Sequence, residues 1–174
     1  MKHLARGDLV IGNSSEKTTE LADLFIRAGI PCRISDNIQG QLWVKLLCNC
    51  ALNAISALGR VRYGEMAQND DAKALMQDVV NEVLAVARAA GVELPGVNDS
   101  KSGMAAAMEI VTQMADAFSS TAQDLNRGRL TEIDALNGYI ARRGKELGVS
   151  VPVNHALFTL VKLAEKQCHQ DFHG

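Results

Sequence analysis

The segment from Asn37 to Leu58 constrains the fold most, because its apolar residues recur with the period of an α-helix. One face of that helix carries Trp43, Leu47, Cys50, Ala51, Ala54 and Leu58. This spacing predicts a long, largely buried helix. The segment also contains Lys45, Asn49 and Asn53, which a single membrane span would tolerate poorly. We therefore interpret it as the core helix of a globular domain.

Polar residues follow one another at intervals of four along the same helix: Gln41, Lys45, Asn49 and Asn53. Asparagine is a poor helix-interior residue because its amide competes for backbone hydrogen bonds, and a buried amide needs partners. Spacing alone leaves two interpretations open, a solvent-facing side of the helix or a surface that binds a polar ligand. The line is narrow and carries one charge, whereas solvated faces are usually wider and richer in Glu, Lys and Arg. The pattern therefore favours a surface that binds a polar ligand.

The chain begins with a β-α-β pattern. Strands are predicted at residues 8–12 and 31–35, with a helix over residues 18–28 between them. Such a unit cannot bury both faces of a parallel sheet, so we expect the rest of the sheet in a preceding segment. The fold class is predicted to be mainly α, with a short β-α-β remnant over residues 1–36 and a helical domain over residues 37–174. Further helices are predicted at residues 71–90, 100–117, 131–147 and 153–167.

Composition excludes several classes of partner. The chain has 18 basic and 20 acidic residues, mixed along its length, which argues against nucleic acid and membrane surfaces as partners. Cys32, Cys48, Cys50 and Cys168 lack paired CxxC spacing, so no metal site or disulfide framework is predicted. A metal at the tail residues Cys168, His169 and His173 is less favoured than a frayed terminus. The first residues lack the pattern of a secretory signal, and we expect a cytoplasmic protein.

A second polar cluster occupies residues 119–124 and 127–134. By itself it is best interpreted as helix capping, with Ser120 capping a short helix and Thr131 with Asp134 resembling a capping box. Glu132 would also be favoured by the helix dipole. The alternative is that free backbone amides at such a helix start bind a substrate carboxylate.

Taken together, three segments resemble the C-terminal domain of ketopantoate reductase (2-dehydropantoate 2-reductase) in order and spacing. They are residues 43–53, residues 119–124 and residues 131–138. The resemblance implies a helical bundle like the C-terminal domain of 6-phosphogluconate dehydrogenase, preceded by the last elements of a Rossmann domain. It also implies NADPH-dependent reduction of 2-dehydropantoate to pantoate, on the route to pantothenate and coenzyme A.

The resemblance assigns a role to each matching residue. Lys45 matches the family's catalytic lysine, which would hydrogen-bond the keto oxygen and donate a proton as general acid. Asn49 and Asn53 match substrate-binding asparagines, and Ser120 matches the serine on the substrate carboxylate side. Glu132 matches the acidic residue near the lysine and the nicotinamide ribose, so Glu132 and Lys45 are the predicted contacts to the cofactor.

Two departures leave alternatives open. Tyr63 stands where some relatives have an asparagine near the substrate, so the substrate is either ketopantoate or another branched 2-keto acid. The glycine-rich GxGxxG turn that binds a dinucleotide is absent from the sequence. We therefore expect the chain alone to be inactive and to need an N-terminal Rossmann domain as its partner. A non-catalytic module for dimerisation or ligand binding is the competing hypothesis. The uncovered strand edges of the remnant predict a homo-oligomer.

Overall fold

The computed structural model describes residues 9–13 and 17–173, with side chains described as far as residue 168. The chain divides into two compact units, Met1–Leu42 and Trp43–Gly174. The predicted fold class is confirmed: the described residues are mainly helical, with a small parallel sheet near the start of the chain.

The first unit contains the predicted β-α-β arrangement. Strands β1 (Leu9–Gly12) and β2 (Cys32–Ser35) pair in parallel, and helix α1 (Lys17–Arg27) connects them. Asp8, which was predicted to begin β1, lies outside the described residues. Gly12 ends the strand where a Cβ atom would lie 2.7 Å from Cγ2 of Ile38, so a larger residue does not fit. Several apolar side chains of this unit are exposed, namely Leu21, Leu24, Ile26, Ile30, Ile34 and Leu42.

Seven further helices follow the sheet. They are α2 (Ile38–Gly59), α3 (Tyr63–Gln68), α4 (Asp70–Ala89), α5 (Ser100–Gln113), α6 (Ser120–Asn126), α7 (Asn137–Leu147) and α8 (Pro152–His173). A 3-10 helix, Ile133–Ala135, lies between α6 and α7. Gly148, in the left-handed conformation, ends α7.

The second unit is organised around α2. Leu47, Cys50, Ala51 and Ala54 are completely buried, as the helical period predicts. They belong to one core with side chains of the surrounding helices, including Val79, Val83, Ile140 and Val161. By length and composition alone α2 could cross a membrane, but 61% of its apolar stretch is buried inside the protein. This burial is typical of a core helix.

A network of polar side chains joins four of these helices. The Glu82 carboxylate on α4 accepts hydrogen bonds from the backbone amides of Val153 and Asn154, each at 2.8 Å, and from Asn154 Nδ2 at 2.7 Å. Asn137 Nδ2 on α7 donates to Asn154 Oδ1 and to the backbone carbonyl of Cys50 on α2. Glu82 thus caps the start of α8, and Asn154 and Asn137 link that start to the central helix α2.

The prediction of one helix over residues 131–147 is wrong in its first turn. Thr131 and Glu132 precede the 3-10 helix, and α7 begins only at Asn137. No capping box joins Thr131 and Asp134: the Thr131 hydroxyl accepts from the Ile133 amide and donates to the carboxylate of Glu165 on α8. The prediction also lacked α3, and the helix predicted to end at residue 117 ends at residue 113.

Candidate active site

The polar line on α2 changes its environment along the helix. Lys45 is exposed, Asn49 is half-buried and Asn53 is only 4% exposed. Gln41 lies in the first unit, where its amide donates to Ser35 Oγ and accepts from Arg33. The line is therefore neither a uniform solvent face nor a uniformly buried one.

Asn53 lies at the centre of a small polar cluster with Tyr63 and Ser120. Tyr63 Oη donates to Asn53 Oδ1 at 3.0 Å, and Asn53 Nδ2 points to Ser120 Oγ at 3.5 Å. Burial raises the pKa of Tyr63 to about 12, so its phenol keeps its proton and remains a donor at neutral pH. The structure thus brings together two predicted substrate-binding residues, Asn53 and Ser120, with Tyr63 behind the asparagine.

Ser119, and not the predicted Ser120, caps α6. Its hydroxyl accepts from the Ala122 amide at 3.0 Å and donates to the Asn53 carbonyl at 3.0 Å. The Ser119 amide donates in turn to Ser56 Oγ on α2. Because Ser119 occupies the cap, the Ala122 amide is not free for a carboxylate. Ser120 is exposed, and its hydroxyl is left for Asn53 and a ligand.

The loop before Ser119 is held against α3 by Arg62 and Tyr63. The Arg62 guanidinium donates to the Asp116 carbonyl and lies 4.9 Å from the centre of the Phe118 ring. The Tyr63 amide donates to the Ala117 carbonyl at 3.1 Å. These contacts fix the loop that carries the serine pair relative to Asn53. Sequence reasoning singled out Tyr63 only as a departure from the family and missed its contact with Asn53.

Lys45 and Asn49 have polar groups that no neighbour uses. Within the part of the chain that the structure describes, neither side chain forms a hydrogen bond or an ion pair. An ammonium group and a carboxamide one helical turn apart therefore remain available to a ligand. Along α2, Lys45 marks the exposed end of the polar line and Asn53 its buried end, with Asn49 between them.

Glu132 is exposed, and its carboxylate has no partner among residues 9–13 and 17–168. The backbone around it is nevertheless fixed, since the Thr131 amide and hydroxyl both donate to Glu165. Among the described side chains, no hydrogen bond or ion pair joins Glu132 to Lys45 or to Asn53. Glu132 thus lies on a fixed turn and is not bonded to the cluster.

The cysteines are not part of this site. Cys50 is buried, as predicted, and Cys48 is buried too, which raises the pKa of its thiol to about 11. In the described ranges no three His, Cys, Asp or Glu residues form a group suited to a metal ion. The side chains of His169 and His173, at the tail, lie outside those ranges.

The described residues thus form a β-α-β unit followed by a helical domain, whose central helix contributes Asn53 to a small polar cluster. The chain belongs to the family described as ketopantoate reductase PanE/ApbA C terminal, whose model matches residues 37–165.

Individual relatives agree with this family. The 2-dehydropantoate 2-reductase of Pyrobaculum aerophilum is 38% identical over 149 residues, which are 86% of this chain and 52% of that protein. The crystal structure of a PanE/ApbA family ketopantoate reductase from Ralstonia eutropha JMP134 has a TM-score of 0.87 and 45% identity, covering 96% of this chain and 54% of its own. A D-mandelate dehydrogenase bound to NADH and anilino(oxo)acetate has a TM-score of 0.85 and 29% identity. The match covers 94% of this chain and 68% of the dehydrogenase chain. The chain spans about half the length of the curated relatives it matches.

Proposed function

We propose that this chain is the substrate-side half of an NADPH-dependent reductase that converts 2-dehydropantoate to pantoate. One observation carries the proposal. In a chain of the ketopantoate reductase family, α2 presents Lys45 and Asn49, which bond no described residue, beside Asn53, which contacts Ser120. A cation, two amides and a hydroxyl are the groups that a hydroxylated 2-keto acid requires.

Lys45 acts as the general acid in this proposal. Its ammonium group donates a hydrogen bond to the keto oxygen and transfers a proton to it as negative charge develops there. Bound nicotinamide cofactor supplies the hydride to the keto carbon. Since Lys45 is exposed in this chain, the substrate and the cofactor-binding half would exclude water from its ammonium group.

Asn49, Asn53 and Ser120 hold the substrate. Tyr63 already occupies Asn53 Oδ1, so Asn53 offers its Nδ2 group toward Ser120 and the ligand. An N–H donor at this position suits a carboxylate or hydroxyl oxygen of the substrate. Neutral amides bind these oxygens without adding charge, which leaves Lys45 as the main electrophile.

Glu132 and Lys45 form this chain's contribution to the cofactor. The free, exposed carboxylate of Glu132 fits hydrogen-bond donors such as ribose hydroxyls. The glycine-rich phosphate-binding turn is not part of this sequence. We infer that a dinucleotide-binding half works with this chain, that the chain alone does not turn over, and that the enzyme is a cytoplasmic homo-oligomer.

The test uses this chain joined behind the part of the Ralstonia eutropha reductase that it does not match. Oxidation of NADPH with 2-dehydropantoate is followed for the parent fusion, for Lys45→Ala and for the matched surface variant Lys166→Ala. Loss of the general acid lowers kcat by about 100-fold or more, while the control keeps its activity. Unchanged turnover in Lys45→Ala would refute the assignment. A fusion that binds neither NADPH nor keto acid would favour the non-catalytic module.

A second candidate substrate is a different 2-keto acid. Two observations favour it: Tyr63 contacts Asn53, and the chain is 29% identical to a D-mandelate dehydrogenase. The discriminating measurement is kcat/KM of the same fusion for 2-dehydropantoate and for a series of branched and aromatic 2-keto acids. A preference for 2-dehydropantoate of more than about tenfold retains ketopantoate as the substrate.

A further inference from the structure

A buried carboxylate lies behind the turn that carries Glu132. Glu165 on α8 is only 2% exposed. Its Oε1 accepts from the Thr131 amide at 2.8 Å and from the Thr131 hydroxyl at 2.7 Å, and its Oε2 lies 2.7 Å from Lys162 Nζ. A buried charge is retained only where partners replace its lost hydration, and Glu165 has three such partners.

Lys162 extends this network to the other side of Glu132. Its ammonium group contacts Glu165 and also Asp134 Oδ2, at 2.9 Å. Burial raises the pKa of Glu165, but the bonds from Lys162 and Thr131 outweigh it and hold the pKa below its usual range. The carboxylate is therefore charged at neutral pH, which makes its hydrogen bonds to Thr131 strong.

The backbone is thus fixed on both sides of Glu132. Before Glu132, the Thr131 amide donates to Glu165. After it, the Asp134 carboxylate accepts from Lys162, and the Asp134 backbone carbonyl accepts from Arg142. The Thr131 hydroxyl also accepts from the Ile133 amide at 3.2 Å, which closes the turn over Glu132. Glu132 itself is exposed and is held by none of the described side chains. Its position depends on the backbone alone.

We propose that Glu165 is a positioning residue that acts through Glu132. With Thr131 and Lys162, it orders the turn before the reaction begins, so that the Glu132 side chain starts from a fixed backbone position on the cofactor side of the site. This inference rests on the proposed function of Glu132. Ordering a catalytic or binding group in advance avoids its entropy cost during the reaction, and small displacements of such groups have large effects on rate.

The experiment is a double-mutant cycle in the fusion enzyme described above, with Glu132→Gln, Glu165→Gln and the double variant. Glu146→Gln, which removes an exposed carboxylate paired with Arg143, is the matched control. Glu165→Gln is expected to lower kcat/KM for NADPH by about 10- to 100-fold. In the Glu132→Gln background the same change is expected to have less than about a twofold effect, because the group it positions is already gone. The control stays at the parent value.

Two further experiments test the same role: a pair of Thr131 variants, and a hydrogen-exchange measurement that does not depend on catalysis. Thr131→Val removes the hydroxyl that bonds Glu165, and Thr131→Ser keeps it, so only the serine is expected to retain activity. In this chain alone, Glu165→Gln is expected to accelerate amide hydrogen exchange at residues 131–134 by about tenfold or more, with residues 100–113 unchanged.

The outcomes separate this inference from the proposed function. If Glu132→Gln slows turnover and Glu165→Gln does not, the positioning role is overturned and the proposed function stands. Equal effects of Glu165→Gln in both backgrounds, or unchanged exchange at residues 131–134, also overturn it, because Glu165 would then act on the fold or not at all. If Glu132→Gln has no effect, the assigned role of Glu132 fails and the inference fails with it.

Discussion

Replacing Glu82 with alanine removes the carboxylate with which α4 caps the start of α8. Three hydrogen bonds are lost, two from backbone amides and one from the side chain of Asn154. Asn154 is completely buried, so its Nδ2 group loses its acceptor at a position with little access to bulk water. Asn154 also accepts a hydrogen bond from Asn137 on α7. Without Glu82 the Asn154 side chain is no longer held in one orientation, which weakens this link between α7 and α8.

The magnitude follows from these contacts. Loss of a helix N-cap costs about 1 kcal/mol, and an unsatisfied buried amide costs about 1–3 kcal/mol. Water compensates partly, because Glu82 itself is half-buried. We expect Glu82→Ala to lower the free energy of unfolding by about 3 kcal/mol. Glu82→Gln is expected to lower the free energy of unfolding by roughly half as much. Its amide oxygen can still accept a hydrogen bond, but its NH2 group faces the donors that the second carboxylate oxygen had satisfied.

Urea unfolding of the chain, followed by circular dichroism, measures this difference. The control is Glu109→Ala, which removes an exposed carboxylate bonded to Gln113 on the same helix and is expected to change stability by less than about 0.5 kcal/mol. If Glu82→Ala is no more destabilising than Glu109→Ala, the carboxylate does not hold the start of α8, and the reasoning from this network is refuted.

Three further predictions concern the residues around the candidate site. Tyr63→Phe removes the bond to Asn53 and is expected to cost about 1 kcal/mol of stability and to raise KM for the keto acid more than it lowers kcat, as steady-state kinetics of the fusion would show. Ser119→Ala, which uncaps α6, is expected to cost about 1–2 kcal/mol in urea unfolding, whereas Ser120→Ala changes stability little and weakens keto-acid binding. Because the pKa of Glu165 is lowered by folding, its contribution to stability is present above the unfolded pKa of about 4.3 and is lost as pH falls below it. The parent chain should therefore lose more stability than Glu165→Gln between about pH 5 and pH 3, and equal losses would contradict this.

Local patterns in the sequence predicted most of the helices. The period of apolar residues predicted α2 to within a residue at each end, because burial of one face determines both its position and its length. Helix α3 escaped prediction because it has only six residues and includes Gly64. Its start does carry a local signal, since Glu65 bonds the Arg62 amide three residues earlier.

Errors occurred where a distant residue holds a segment that the local sequence assigns to a helix start. Thr131 and Asp134 have the spacing of a capping box, but Glu165, more than thirty residues away along the chain, accepts from the Thr131 amide and hydroxyl, and that hydroxyl accepts from the Ile133 amide. Nothing in the local sequence indicates that competitor. The serine pair has the same difficulty, because adjacent hydroxyls are equivalent in sequence and only the contact with the Asn53 carbonyl makes Ser119 the cap.

The polar line on α2 illustrates how burial divides a regular pattern into different tasks. Four-residue spacing makes Lys45, Asn49 and Asn53 equivalent on paper, yet only Asn53 is buried, and it alone has an internal partner, Tyr63, that satisfies its oxygen. A buried amide without that partner would destabilise the helix, so the Tyr63 bond is a condition for placing an asparagine there. Lys45 and Asn49 need no such partner because water reaches them, and for the same reason a ligand can. The site is therefore available at its exposed end and rigid at its buried end, as preorganised binding of a small polar substrate requires.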